Sequence, residues 1–236
     1  MEQSIGDAMG FDRAITLFSP DGRLLQVEYA KKTVLQGSAA VGVIGKNAVV
    51  FVADKRLPEE QKLIIPESIE KIFKIDDHVG SAISGLIADA RMLVEKAQVE
   101  AQQYKVTFNE PADILLMVKQ ISSDMQTFTQ YGGARPYGVS LLMGGLKGGV
   151  PVLYMLDPSG IFFQYKALSI GDNSSAINKS LEEGYKPDMD IDGMIKLAIR
   201  ALKAGGIKPQ IERFEIATID ASGFKKLDRD QVSKYL

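Results

Sequence analysis

The chain has 236 residues, 45% of them hydrophobic and 25% charged, with a formal net charge of −2 and no cysteine. Such a composition suits a soluble globular protein with a sizeable core. It excludes a disulfide framework, a thiolate site and a general nucleic-acid surface, which needs clustered Lys and Arg.

Residues 1–12 are polar, contain Gly6 and Gly10 and show no periodicity, so a mobile segment is expected there. A short apolar stretch, 15–18, leads into Ser19-Pro20-Asp21-Gly22. Pro20 sets φ for the first central turn position and Gly22 relieves the exit. From Arg23 to Leu35 the apolar residues Leu24, Leu25, Val27, Val34 and Leu35 predict a helix with one apolar stripe, ended by Gly37. Three hairpins are predicted: 39–44 with 48–53, 71–75 with 79–84, and 138–146 with 150–156. Two long helices lie between the second and third. One is marked by Leu86, Ala90, Leu93, Ala97, Ala101 and Tyr104, the other by Ile114, Val118, Ile121, Met125 and Phe128 after Pro111. Then come a turn at Pro158-Ser159-Gly160 into a strand over 161–167, helices over 174–183 and 192–203, and a strand over 211–219. Asp228 is positioned to cap a last short helix running to Tyr235.

Several strands, such as 49–53, are apolar without alternation, so both of their faces must be covered. Antiparallel hairpins covered on both faces, with helices in pairs, predict an α+β fold of two stacked antiparallel sheets between helix layers. No apolar run reaches the length of a membrane span. The start Met-Glu-Gln-Ser-Ile-Gly-Asp shows no secretory pattern, and a cytoplasmic location is expected.

Chemistry is sparse. The one histidine, His78, rules out a His-rich metal site and reads as a solvated turn residue. No phosphate-binding loop occurs, and the glycines of 144–149 belong to a hairpin tip. Asp188, Asp190 and Asp192 resemble part of a calcium loop, but Gly193 leads into a helix and the ligand set is incomplete, so a solvated loop with a helix cap is expected. No metal and no cofactor are expected.

Residues 11–30 resemble the N-terminal signature of proteasome α subunits almost residue for residue, and the archaeal type most. The likeness continues through 68–72, 84–91 and 131–138. It implies the four-layer αββα sandwich of N-terminal-nucleophile hydrolases and proteasome subunits, as one domain over 13–236 with a turn and α-type helix at 13–37. It also implies a homo-heptameric ring capping proteasome β subunits, with residues 1–12 as a gate over the axial pore through which unfolded proteins enter. Matching positions place Phe11, Asp12, Pro20 and Tyr29 in the cluster that holds the gate open. A tyrosine is common where Phe11 stands, and losing its hydroxyl predicts a less stable open gate. Docking of the C-terminal tails of ring ATPases carries over to Lys71, Gly85 and Leu86, with Glu28 and Lys31 nearby. The residues Tyr131, Gly132, Gly133 and Arg135 match the loop at the pore constriction, with Arg135 pinning it by hydrogen bonds.

In the catalytic β-type relatives an N-terminal threonine is the nucleophile and its own α-amino group the base. Ser38 falls at the nucleophile position, with Asp54 and Lys71 at the two assisting ones. The Ser38 nitrogen is an amide after 37 residues of α-type sequence, so no catalytic residue is assigned. Asp54 and Lys71 are then left to packing or docking. The alternative is a self-processing Ser38 amidohydrolase, which would lose residues 1–37.

Overall fold

A computed structural model describes residues 16–56, 63–208 and 210–236. Phe11 and Asp12 lie outside the described residues. After the turn at Ser19–Gly22, closed by Gly22 N–H on Ser19 O (2.8 Å), the elements are α1 (Leu25–Gln36), β1 (Ala40–Ile44), β2 (Val49–Asp54), β3 (Ile72–Asp76) and β4 (Val79–Gly85). Next come α2 (Ile87–Phe108), α3 (Ile114–Thr127), β5 (Val139–Lys147), β6 (Val150–Leu156), β7 (Phe162–Gln164) and β8 (Ala167–Ile170). The chain closes with α4 (Ser174–Gly184), α5 (Ile191–Ala204), β9 (Phe214–Asp220), β10 (Gly223–Lys226) and α6 (Arg229–Ser233).

The strands form two five-stranded antiparallel sheets, ordered β10-β9-β2-β1-β8 and β3-β4-β5-β6-β7. Strand pleating divides their side chains among three cores. On β1 and β2, Val41, Val43, Val50 and Val52 face α4 and α5, while Ala40, Val49, Phe51 and Ala53 alternate with them and face the other sheet. On β4 and β5, Ile83, Leu141 and Met143 pack under α2 and α3, and Ala82 and Leu142 meet Phe51 between the sheets. This is the predicted four-layer sandwich, and it explains the unbroken apolar strands: each has a helix layer on one side and a sheet on the other.

Three local expectations change. The run 161–167 is not one strand. Phe162–Gln164 pairs with β6 in one sheet and Ala167–Ile170 with β1 in the other, so the chain crosses between layers at Tyr165 and Lys166. One extended segment cannot bond into two sheets stacked about 10 Å apart, so it must break. The strand expected over 211–219 runs from Phe214 to Asp220. It turns back into β10, whose four residues are too few to show a pattern. His78 is half-buried, its Nε2 lying 2.9 Å from Ala112 O and its Nδ1 3.4 Å from Asp76 Oδ2, because the α2–α3 connection folds over that turn. The Asp228 cap forms as expected, in a reciprocal box with Gln231. Asp190 likewise caps α5 through Gly193 N–H (2.8 Å), and Asp192 pairs with Lys196 (2.6 Å). Among the described residues no acidic, His or Cys group has a metal-holding arrangement, and no helix is long and apolar enough to cross a membrane.

Helix α1 buries Leu25, Val27, Ala30 and Val34 and packs against β4 and β5. Its exit is tight. A Cβ on Gly37 would lie 2.4 Å from Gly85 N and 2.5 Å from Ser84 Oγ, although the Gly37 backbone itself is ordinary at φ −68°. Gly37→Ala therefore fails for space and not for conformation. We expect it to lower stability by about 1–3 kcal/mol, read as a urea midpoint at fixed protein concentration. Gly132→Ala, which faces open space, should leave the midpoint within error, and equal effects of the two would refute the packing argument.

Candidate functional site

The residues following α1 are fixed from three strands. Gly37 O accepts from Asp172 N–H (2.8 Å) just after β8. Ser38 O accepts from Ser84 Oγ (3.0 Å) of β4 and from Lys71 Nζ at the start of β3. Lys71 Nζ also donates to Ser38 Oγ at 2.7 Å. The side chain of Lys71 arrives there because its peptide pairs inward: its N–H reaches Glu215 Oε2 (2.8 Å) and its carbonyl accepts from Ile83 N–H (3.1 Å). Lys71 is only 3% exposed, so it is not the surface lysine that a strand position suggests.

Burial pulls the Lys71 amine down to about 7, against the attraction of Asp54 and with Arg56 adding to the lowering. Asp54 and Glu215 offset this only in part, because each is already paired with another cation. Asp54, fully buried, receives Arg213 on both oxygens (2.9 and 2.7 Å) and Arg56 N–H at 3.2 Å. Glu215 accepts the Lys71 and Ile72 N–H groups and pairs with Lys226 (2.8 Å), which also holds Glu70. The structure thus brings Ser38 and Lys71 together as the sequence match suggests, and assigns Asp54 to Arg213.

Gly85 and Leu86 border the same place. Gly85 ends β4 at φ +115°, where a Cβ would meet Gly138 O at 2.2 Å, and Leu86 is 42% exposed ahead of α2. Lys71 and Gly85 therefore border Ser38 and Gly37, and Leu86 follows with its N–H on Gly138 O (2.9 Å). Glu28 and Lys31 sit roughly two and a half and one and a half turns earlier on α1, and Lys31 pairs with Asp157 (3.2 Å). Pro20 is exposed in its turn, and Tyr29 lies beside Lys32, whose Nζ is 5.4 Å from the ring centroid.

The loop before β5 is anchored at one end. Arg135 grips Asp89 of α2 with both guanidinium nitrogens (2.6 and 2.7 Å), and Asp89 also accepts Gly138 N–H (2.8 Å). Burial alone would raise the Asp89 carboxyl, but Arg135 and the Gly138 amide together hold it below its ordinary range. Ahead of that anchor Tyr131, Gly132 and Gly133 project freely, with Gly133 at φ +87°.

Sequence reasoning missed Arg213, Glu215 and Asp89. The signal available for the first two is a pair of charges flanking Phe214 at the entry to an apolar strand; their partners stand 159 and 144 positions away.

Comparison with known proteins agrees with this geometry. The proteasome subunit family matches residues 34–219, and the A-type N-terminal signature of proteasome subunits matches residues 11–32. The proteasome subunit alpha of Thermococcus gammatolerans is 49% identical over 229 residues, covering 96% of this chain and 87% of that one. That of Methanoculleus marisnigri is 46% identical over 231 residues, 97% of this chain and 95% of its own. The Pyrococcus horikoshii protein of the same name is 49% identical over 229 residues, 96% and 87%. With the sandwich, the α-type signature and identity along nearly its full length in accord, the chain belongs to the proteasome subunit family as an α-type member.

Proposed function

We propose that this chain is the non-catalytic α subunit of a cytoplasmic 20S core, a threonine protease complex whose hydrolysis belongs to the β subunits. Residues 13–236 act as one ring-forming domain. Seven copies make the outer ring, and residues 1–12 gate the pore, with Phe11, Asp12, Pro20 and Tyr29 holding the open state. Tyr131, Gly132, Gly133 and Arg135 line the constriction. Ring ATPases dock through C-terminal tails at Lys71, Gly85 and Leu86, with Glu28 and Lys31 on the flanking helix, and drive unfolded proteins inward.

One observation carries the docking role: a buried lysine aimed at Ser38 whose neighbouring carboxylates are both taken by other cations. Burying an ammonium without a counter-charge is unfavourable, and a tail's terminal carboxylate supplies that charge. Lys71→Ala is expected to abolish ATPase stimulation of peptide hydrolysis by the assembled particle while rings still form. Stimulation that survives the substitution rejects the docking role.

The 2.7 Å contact between Lys71 Nζ and Ser38 Oγ favours one competing reading, a Ser38 hydrolase. Its demands conflict with the fold. A free amine at Ser38 requires loss of everything before it, α1 included, and α1 carries buried residues of this fold. Intact mass decides between them, since only the hydrolase begins at Ser38.

A further inference from the structure

Lys71 is the only buried cation among the described residues, and its hydrogen bonds can be counted. A neutral lysine amine has two N–H donors and an ammonium has three. Two acceptors are in place, Ser38 O and Ser38 Oγ. No third acceptor reaches Nζ among the described residues. The neutral amine thus places both of its N–H donors, and the ammonium has one donor left over.

The surrounding charges reinforce this. From the end of β2 come Asp54, held by Arg213, and Arg56, whose guanidinium is turned away to Asp172 (2.6 Å). From β9 comes Glu215, held by Lys226 of β10, which also binds Glu70. From β4 comes Ser84, whose hydroxyl donates to Val34 O near the end of α1 (3.2 Å), and the Gln36 carbonyl accepts from Arg56 (3.4 Å). Every carboxylate facing the amine already has its cation.

Resting on the docking role above, we propose that a carboxylate seats beside Ser38 together with a proton: solvent supplies the proton to the Lys71 amine, and the carboxylate accepts the third N–H. Docking then strengthens as the medium becomes more acidic through neutrality. No covalent bond changes, and the proton returns to solvent on release. The lowered proton affinity of the buried amine puts this exchange in the physiological range. His78, the chain's only histidine, stands at the far end of β3 and takes no part.

The test is calorimetric titration of the assembled particle with a synthetic peptide copying the tail of a proteasome-activating ATPase, and with the same peptide amidated at its C-terminus. Two cationic buffers of different ionisation enthalpy report proton exchange. For the free-acid peptide, uptake should rise from near zero at about pH 6 towards one proton per site at about pH 9, with affinity falling by up to about tenfold per pH unit above about 7. Tight binding with no uptake and a flat pH profile overturns the coupling and leaves docking intact. Equal binding of the acid and amide peptides, or none at any pH, overturns docking itself.

Discussion

Truncating Arg213 to methionine is expected to lower the unfolding free energy by about 3–5 kcal/mol, among the largest single effects available in this chain. Asp54 is completely buried and both of its oxygens are bound by the Arg213 guanidinium. Removing the guanidinium leaves a carboxylate without its main partner, while methionine keeps the apolar stem and so isolates the charge effect. The compensating change is Asp54→Asn. In the Arg213→Met background it should restore much of the lost stability, because the damage comes from an orphaned charge and not from a missing contact. Urea midpoints of the four proteins at one concentration test this. Two substitutions that simply add would show that the pair is not coupled. A second effect follows from position: an Asp54 released from Arg213 becomes a counter-charge for Lys71, so tail binding should weaken in the Arg213→Met particle even though Arg213 touches no ligand.

The fold was legible in the sequence to the extent that its elements carry their own periodicity. The apolar spacing of Leu93, Ala97 and Ala101 marks a helix face that is indeed buried, and the two-sided apolar character of residues 49–53 announced a central strand under cover on both sides. What failed was the part decided by distant partners. Residues 161–167 read as one strand because nothing local distinguishes bonding to β6 from bonding to β1. β10 went unseen because Gly-Phe-Lys-Lys becomes a strand only once β9 offers it an edge. The site divides in the same way. Ser38, Asp54 and Lys71 were marked by the family resemblance alone, and the contacts of Asp54 and Lys71 depend on Arg213 and Glu215, which lie far along the chain and meet them only in the folded protein. A lysine at the start of a strand reads as solvent-exposed until the packing that buries it is known.

Lys71→Met should therefore make the folded subunit more stable while destroying its docking. In the unfolded chain the amine keeps its proton to about pH 10, whereas in the folded chain burial lowers that point to about 7. Between those values unfolding takes up a proton, so this residue makes stability rise with pH across that interval, and its cost is fully present below pH 7. Methionine has no such charge and fits a similar volume. The variant should exceed the parent by about 1–4 kcal/mol at pH 6, as found when buried ionic groups are replaced by apolar ones, and the gap should narrow towards pH 10. A variant less stable than the parent at pH 6 would mean that the bonds from Lys71 to Ser38 outweigh the burial of the charge, and the site would then be a structural clasp. A stabilised variant that no longer responds to an ATPase would instead place the cost where the ligand binds. Under the proposed docking, burying an ammonium with one idle donor costs the folded subunit stability and an arriving carboxylate relieves that cost, so what the fold loses at Lys71 returns as affinity for the tail.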